Sequence, residues 1–303
     1  MKRRISRRSF GALTLGMAAA GLPVVGSAQA VQYANPHLLM SPDALMDALA
    51  PKPGHEDLPQ GVGIAVIDVR PREDYDAGHI AGAVHLDPNA VVAPHSPITG
   101  ALHAVPEIEK LLGSLGINAS TLVVFYDDRG GFHAARMLWL MEYLGHKNAA
   151  VLNGGYSGWT AQGGPTTSQW IKPTPRLFQA ALSPRRHASA EDVLAHRSDP
   201  DGVLIDVRPT HMFEAGHIPW AINIHWADNL DATGFFRPAE ALLEHFEHHR
   251  VTPERNVVMH CEVGLASSHS YVALRLLGFP RVRVYHRSWA EWSTDPDLPK
   301  AIS

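Results

Sequence analysis

Cys261 is the only cysteine in a chain of 303 residues, so any thiol chemistry here happens at one atom. A single thiol excludes an intramolecular disulfide, a multi-cysteine zinc site and a disulfide-rich scaffold. It leaves a buried structural cysteine or a nucleophile. Cys261 directly follows the apolar run Val257-Val258-Met259 and precedes Glu262-Val263-Gly264-Leu265-Ala266, with Ser267 and Ser268 opening a helical pattern. A loop closing onto a helix N-terminus turns several backbone N–H groups toward one point, where the helix dipole is positive. A thiolate is stabilised there, which is what a nucleophilic cysteine needs. Gly264 permits the tight turn, and the hydroxyls of Ser267 and Ser268 add donors. Placement at a strand-to-helix turn favours the nucleophile over the structural cysteine.

The elements that must position this thiol alternate in type. Residues 203–207 read as a strand, 239–249 as a helix and 257–260 as a strand. A helix over 267–277, stopped by Gly278 and Pro280, and a strand over 282–285 follow. Buried strands alternating with helices predict an α/β fold with a parallel sheet covered on both faces. In such sheets ligands bind beyond the carboxyl ends of the strands, which is where Cys261 falls.

The pattern occurs twice. Ile67-Asp68-Val69-Arg70-Pro71 recurs as Ile205-Asp206-Val207-Arg208-Pro209, and residues 75–83 (YDAGHIAGA) recur as 213–221 (FEAGHIPWA), both at an offset of 138. Residues 123–127 align with 257–261 at an offset of 134, whereas Leu144-Gly145 and Trp159 align with Leu277-Gly278 and Trp292 at 133. One residue is therefore gained or lost in the loop between those sets. A repeat this long is a duplicated domain. The expected boundaries are 31–165 for the first domain, a Pro/Ser/Thr-rich linker over 166–184, and 185–303 for the second.

The tandem repeat, the GHI segments, Cys261 in a C-x-x-G-x-x loop and the run Ser288-Trp289-Ala290-Glu291-Trp292 resemble the two-domain rhodanese-like sulfurtransferases. These include the thiosulfate and 3-mercaptopyruvate sulfurtransferases. The resemblance implies two tandem rhodanese-like domains, each a parallel sheet with helices on both faces. It implies that Cys261 takes a sulfane sulfur as a persulfide and passes it on, without a cofactor. The donor is then a small anion held by Arg208 and by the loop 262–267, that is Glu262, Val263, Gly264, Leu265, Ala266 and Ser267. The first copy should be silent, because Asp127 stands at the position aligned with Cys261. With no second thiol to resolve the persulfide, the acceptor is external, a thiol or cyanide.

Three positions depart from the usual pattern: Glu262 after the cysteine, where thiosulfate users carry a cation, Trp220 after GHI-x, and His286-Arg287 ahead of Ser-Trp. Directed inward at about 5 Å, Glu262 would repel a unit negative charge by about 3 kcal/mol at an effective dielectric of about 20. This supports a second reading, a non-enzymatic module that stores sulfur or binds a partner. A cysteine phosphatase is disfavoured, since its C-x5-R loop needs arginine at position 267, occupied here by serine, and should lack acids. His79 and His217 occur in both copies and read as structural, and Trp292, which aligns with Trp159, reads as core. His245, His248 and His249 have metal-binding spacing on one helix, but their acidic neighbours point to a solvated face, and no metal is expected.

Lys2, Arg3, Arg4, Arg7 and Arg8 precede an apolar run over 11–25 and then Ala28-Gln29-Ala30. This reads as an export signal over 1–30, and Ser6-Arg7-Arg8-Ser9-Phe10 resembles the twin-arginine type. A periplasmic or otherwise exported protein is expected, without stable membrane association once the signal is removed. Beyond those residues 21 basic side chains face 30 acidic ones, a net charge of −9 that gives no support to nucleic-acid binding.

Overall fold

The computed structural model describes residues 31–50 and 63–302. The expected export signal lies outside the described residues. The first copy runs β1 (Leu39–Met40), α1 (Pro42–Leu49), β2 (Ile64–Asp68), α2 (Arg72–Ala77), β3 (His79–Ile80) and β4 (Val84–His85). It continues with α3 (Val105–Ser114), β5 (Leu122–Tyr126), α4 (Phe132–Tyr143), β6 (Ala149–Leu152), α5 (Gly155–Ala161) and β7 (Thr166–Thr167). The second copy runs α6 (Ala190–His196), β8 (Gly202–Asp206), α7 (Thr210–Ala215), β9 (Ala221–Asn223) and α8 (Ala239–His248). It ends with β10 (Asn256–His260), α9 (Leu265–Leu276), β11 (Val282–Val284) and α10 (Ser288–Trp292). Helix α9 thus starts two residues earlier than the sequence pattern suggests, directly after Gly264.

The main sheets have strand orders β1-β6-β5-β2-β4 and β11-β10-β8-β9, and every pairing in them is parallel. The edge strand β1 survives in the second copy only as the bridge between His187 and Val284. The antiparallel pair β3–β7 shrinks likewise to the bridge His217–Ala301.

Alternation along each strand divides the core. Val123 and Phe125 of β5, and Val257 and Met259 of β10, face one large cluster shared by both domains. Val124 and Tyr126 face a cluster confined to the first domain, and Val258 one confined to the second. Both faces of each sheet are therefore covered, as a parallel sheet requires. Between the domains lie α4 and α9, which are buried nearly all round: Ala134 to Met141 without exception, and Ala266 to Leu274 likewise. A helix with no solvated face cannot be an outer layer. Here each is the inner layer of its own domain and the partner of its counterpart.

The connector over 166–184 is not free chain. Its first two residues form β7, and Arg176, Ala181 and Ser183 donate backbone bonds to Gly113, Leu144 and Tyr143 at 2.8–2.9 Å. Phe178 is buried against the first domain's helices. Trp159 and Trp292 are core residues, as their alignment suggested, and their indole N–H groups bond the carbonyls of Pro165 and Pro299. No helix among the described residues is long and apolar enough to cross a membrane.

Candidate active site

Cys261 sits one residue beyond the carboxyl end of β10 and three before the N-cap of α9. Gly264, at φ +83°, makes the turn, and a Cβ there would lie 2.5 Å from the His286 carbonyl oxygen. Glycine is therefore required twice over, by conformation and by space. The turn brings the Gly264 N–H to within 3.1 Å of Cys261 Sγ. Ser267 Oγ lies 3.6 Å from the sulfur and Ser288 Oγ 4.0 Å from it. The twelve-residue helix α9 points its positive end at the same atom. The sulfur lies at the floor of the loop, with Cys261 only 3% exposed.

Of the expected loop residues, Gly264 and Ser267 face the sulfur directly. Val263 offers its carbonyl to Arg136 instead, while Leu265 and Ala266 open the first turn of α9. Glu262 does not enter the loop: its half-exposed carboxylate takes a hydrogen bond from Arg208 Nη1 at 3.3 Å.

Arg208 spends most of its donors within its own fold. Its Nε and Nη2 bind the Asp206 carboxylate at 2.6–3.1 Å, and Nη2 also donates to the Gly216 carbonyl at 2.7 Å. Arg70 makes the same contacts with Asp68 and with the Gly78 carbonyl in the copy without a nucleophile. A geometry repeated in both copies belongs to the fold, so Arg208 first anchors Asp206. Removing it would leave a buried carboxylate unpaired, at a cost of about 3–5 kcal/mol. Only Nη1 is left to face the mouth of the site, beside Trp289, whose ring lies 4.9 Å from the guanidinium carbon. The two GHI histidines are structural as expected: His79 and His217 bond the carbonyls of Tyr75 and Phe213 and stack on their rings at 3.7 and 3.9 Å. No group of three or more His, Cys, Asp or Glu among the described residues is placed to hold a metal ion.

Two residues that hold the cysteine loop escaped the sequence reading. Ser288 Oγ accepts the Cys261 N–H at 3.1 Å and donates to the Tyr285 carbonyl at 2.8 Å, fixing the start of the loop. It does so at φ +55°, a strained conformation for a side-chain-bearing residue, costing on the order of 1–2 kcal/mol. Its repeat counterpart is Gly155 at φ +56°, so serine stands at a position the other copy gives to glycine. The alignment of Ser288 with Gly155 was the available signal. The second is Arg136, from the first copy, whose approach to the loop depends on how α4 meets the second domain.

Comparison with known proteins agrees with the tandem fold. A rhodanese-like domain matches residues 54–162 and again 189–295. The chain is 31% identical over 262 residues to the thiosulfate sulfurtransferase of Pseudomonas aeruginosa, spanning 84% of this chain and 94% of that one. It is 33% identical over 293 residues to the sulfur carrier protein TtuD of Thermus thermophilus, spanning 89% and 98%. The wild-type structure of EanB shares the fold, with a TM-score of 0.78 at 24% identity over 88% of this chain and 69% of that one. The chain belongs to the rhodanese-like family, as a tandem-domain sulfurtransferase.

Proposed function

We propose that the protein moves a sulfane sulfur from thiosulfate or 3-mercaptopyruvate through a persulfide on Cys261 to an external thiol or to cyanide. The Cys261 thiolate attacks the outer sulfur of thiosulfate. A new S–S bond forms, the donor's S–S bond breaks, and sulfite leaves with the electron pair. With 3-mercaptopyruvate the C–S bond breaks and the carbon fragment leaves as the enolate of pyruvate, which takes a proton from water. The acceptor then attacks the outer sulfur and returns Cys261 as thiolate. The observation that carries this reading is the Gly264 N–H directed at Sγ from the head of α9. A preorganised donor at that point stabilises negative charge on sulfur without reorganising during the reaction.

The mouth of the site bears on the donor. Arg208 keeps one nitrogen there and Glu262 occupies it, so an anionic donor must displace that carboxylate to reach the guanidinium. A small anion with a second charged end, such as the carboxylate of 3-mercaptopyruvate, has the chemistry to do so. The basic and apolar segment over 1–30 supports export, and the absence of a second cysteine supports an acceptor outside this chain.

Intact-mass analysis after incubation with each donor tests the reading. A gain of one sulfur, about 32 Da, is expected in the parent protein and not in Cys261→Ser. Sulfur transfer retained by Cys261→Ser would overturn the mechanism. No mass gain with either donor would favour a partner-binding module, with Glu262 as the obstacle.

A further inference from the structure

Arg136 lies on α4 of the first copy, yet it reaches the cysteine loop of the second. Its Nη1 donates to the Val263 carbonyl at 2.6 Å and its Nη2 to the Gly100 carbonyl at 3.0 Å. Gly100 itself is pressed against that loop, since a Cβ on it would meet Val263 Cβ at 2.9 Å. The Arg136 side chain is 2% exposed, its Nε has no partner, and no carboxylate among the described residues forms an ion pair with it. A buried guanidinium without a counter-charge is costly unless negative charge stands nearby. Burial pulls Arg136 down to about 10, and the neighbouring Cys261 opposes that pull.

The route between the two is one peptide unit. The Val263 carbonyl and the Gly264 N–H belong to the same amide: Arg136 holds its oxygen, and its N–H donates to Cys261 Sγ at 3.1 Å. Hydrogen bonds in series polarise one another, and a cation at the oxygen end makes the N–H a stronger donor to an anion. The first copy repeats this wiring with different ends. His269 on α9 is the repeat counterpart of Arg136, and its Nε2 donates to the Gly130 carbonyl at 3.0 Å. The Gly130–Gly131 amide then donates its N–H to Asp127 Oδ1 at 2.9 Å. The charged side chain serves the thiol, and the imidazole serves the carboxylate.

We propose that Arg136, supplied by the copy that lacks a nucleophile, is a positioning residue for sulfur transfer, acting through the Val263–Gly264 peptide on the N–H that holds the Cys261 sulfur. This rests on the reading of Cys261 as the nucleophile. It makes the first copy part of the active site. The other charged or titratable groups around the thiol are Glu262, tied to Arg208, His260 beside Asp206, and His286, which its burial keeps well below its ordinary value.

The test compares Arg136→Met and Arg136→Lys with the parent, each first checked for parent-like circular dichroism and thermal unfolding. Cys261 alkylation by iodoacetamide is followed against pH, and persulfide formation against thiosulfate concentration. Arg136→Met is expected to move the alkylation midpoint up by about one pH unit and to slow maximal persulfide formation about tenfold. The donor concentration for half-maximal rate should stay within about twofold, because Arg136 touches the loop and not the donor. Arg136→Lys should recover part of the shift. An unchanged alkylation profile in the folded Met variant overturns the proposal. It leaves the Cys261 mechanism standing, because the mass gain in the parent and its loss in Cys261→Ser report on that separately. Arg136→Gln, which keeps an N–H but no charge, repeats the test with the same expected shift if the Met variant does not fold.

Discussion

In the first copy the turn after β5 spans residues 127–131, and Asp127 folds its carboxylate back into it, accepting the backbone N–H groups of Arg129, Gly131, His133 and Ala134 at 2.7–3.0 Å. In the second copy the turn after β10 spans residues 261–264, one residue fewer, and the side chain at its head takes a single backbone N–H. The strands before the two turns, β5 and β10, correspond at an offset of 134 and the helices after them, α4 and α9, at 133, so the one-residue change lies within the turn itself. The contrast separates two contributions. The fold supplies an anion cradle in both places. On the proposed reading, chemistry belongs to the copy whose own side chain does not fill it.

The strongest way to break that contrast is to empty the filled cradle. Asp127→Ala leaves several helix-terminal N–H groups without their acceptor and should lower the unfolding free energy by about 3–5 kcal/mol. Cys261→Ser removes one weak acceptor and should cost less than about 1 kcal/mol. Urea unfolding of both variants measures the difference. Equal losses would mean that the two cradles carry equal structural load and that Asp127 does not fill its turn more fully than Cys261 fills the other.

The pseudo-symmetric relays differ in charge, and that difference has a pH signature. His269 is completely enclosed, stacked on Phe236 at 4.6 Å, and burial lowers it from 6.5 to about 4. Above pH 6.5 the ring is neutral folded and unfolded, so it contributes no pH dependence there. Between pH 6.5 and about 4 the unfolded chain binds a proton that the folded one refuses, and stability falls with pH by about 3 kcal/mol in total. His269→Gln keeps a donor for Gly130 and should remove that part of the acid slope. An acid slope identical to the parent's would show that His269 titrates normally in the folded protein.

Much of this was legible in the sequence because the repeat is an internal alignment. It located Cys261 at the end of a strand, identified Asp127 as its silent counterpart and marked His79, His217 and Trp292 as structural. It also held the argument about Arg208, since Arg70 recurs with Asp68, but only the hydrogen bonds showed how fully Asp206 occupies the guanidinium. Arg136 was out of reach for a different reason. Its partner is a carbonyl 127 positions along the chain in the other domain. Contacts between domains depend on how two buried helices meet, which no local pattern in either copy encodes.

The smallest expected effect comes from Glu262: its repeat counterpart Asp128 is also an acid, but in that copy Arg70 lies over the Tyr156 ring at 3.8 Å and binds no second carboxylate among the described residues. Glu262 is about half exposed and bonded to Arg208 at 3.3 Å, and such a pair is worth no more than about 1 kcal/mol. Replacing it with lysine frees the Arg208 nitrogen and reverses the charge at the mouth, so kcat/KM for thiosulfate should rise about two- to tenfold. The gain should fall mainly in KM, because the new interactions act on the donor before and during reaction alike. Steady-state rates of sulfite release at low and moderate salt check this, and the gain should shrink as salt rises. A gain insensitive to salt would place the effect of Glu262 in the shape of the mouth and not in its charge.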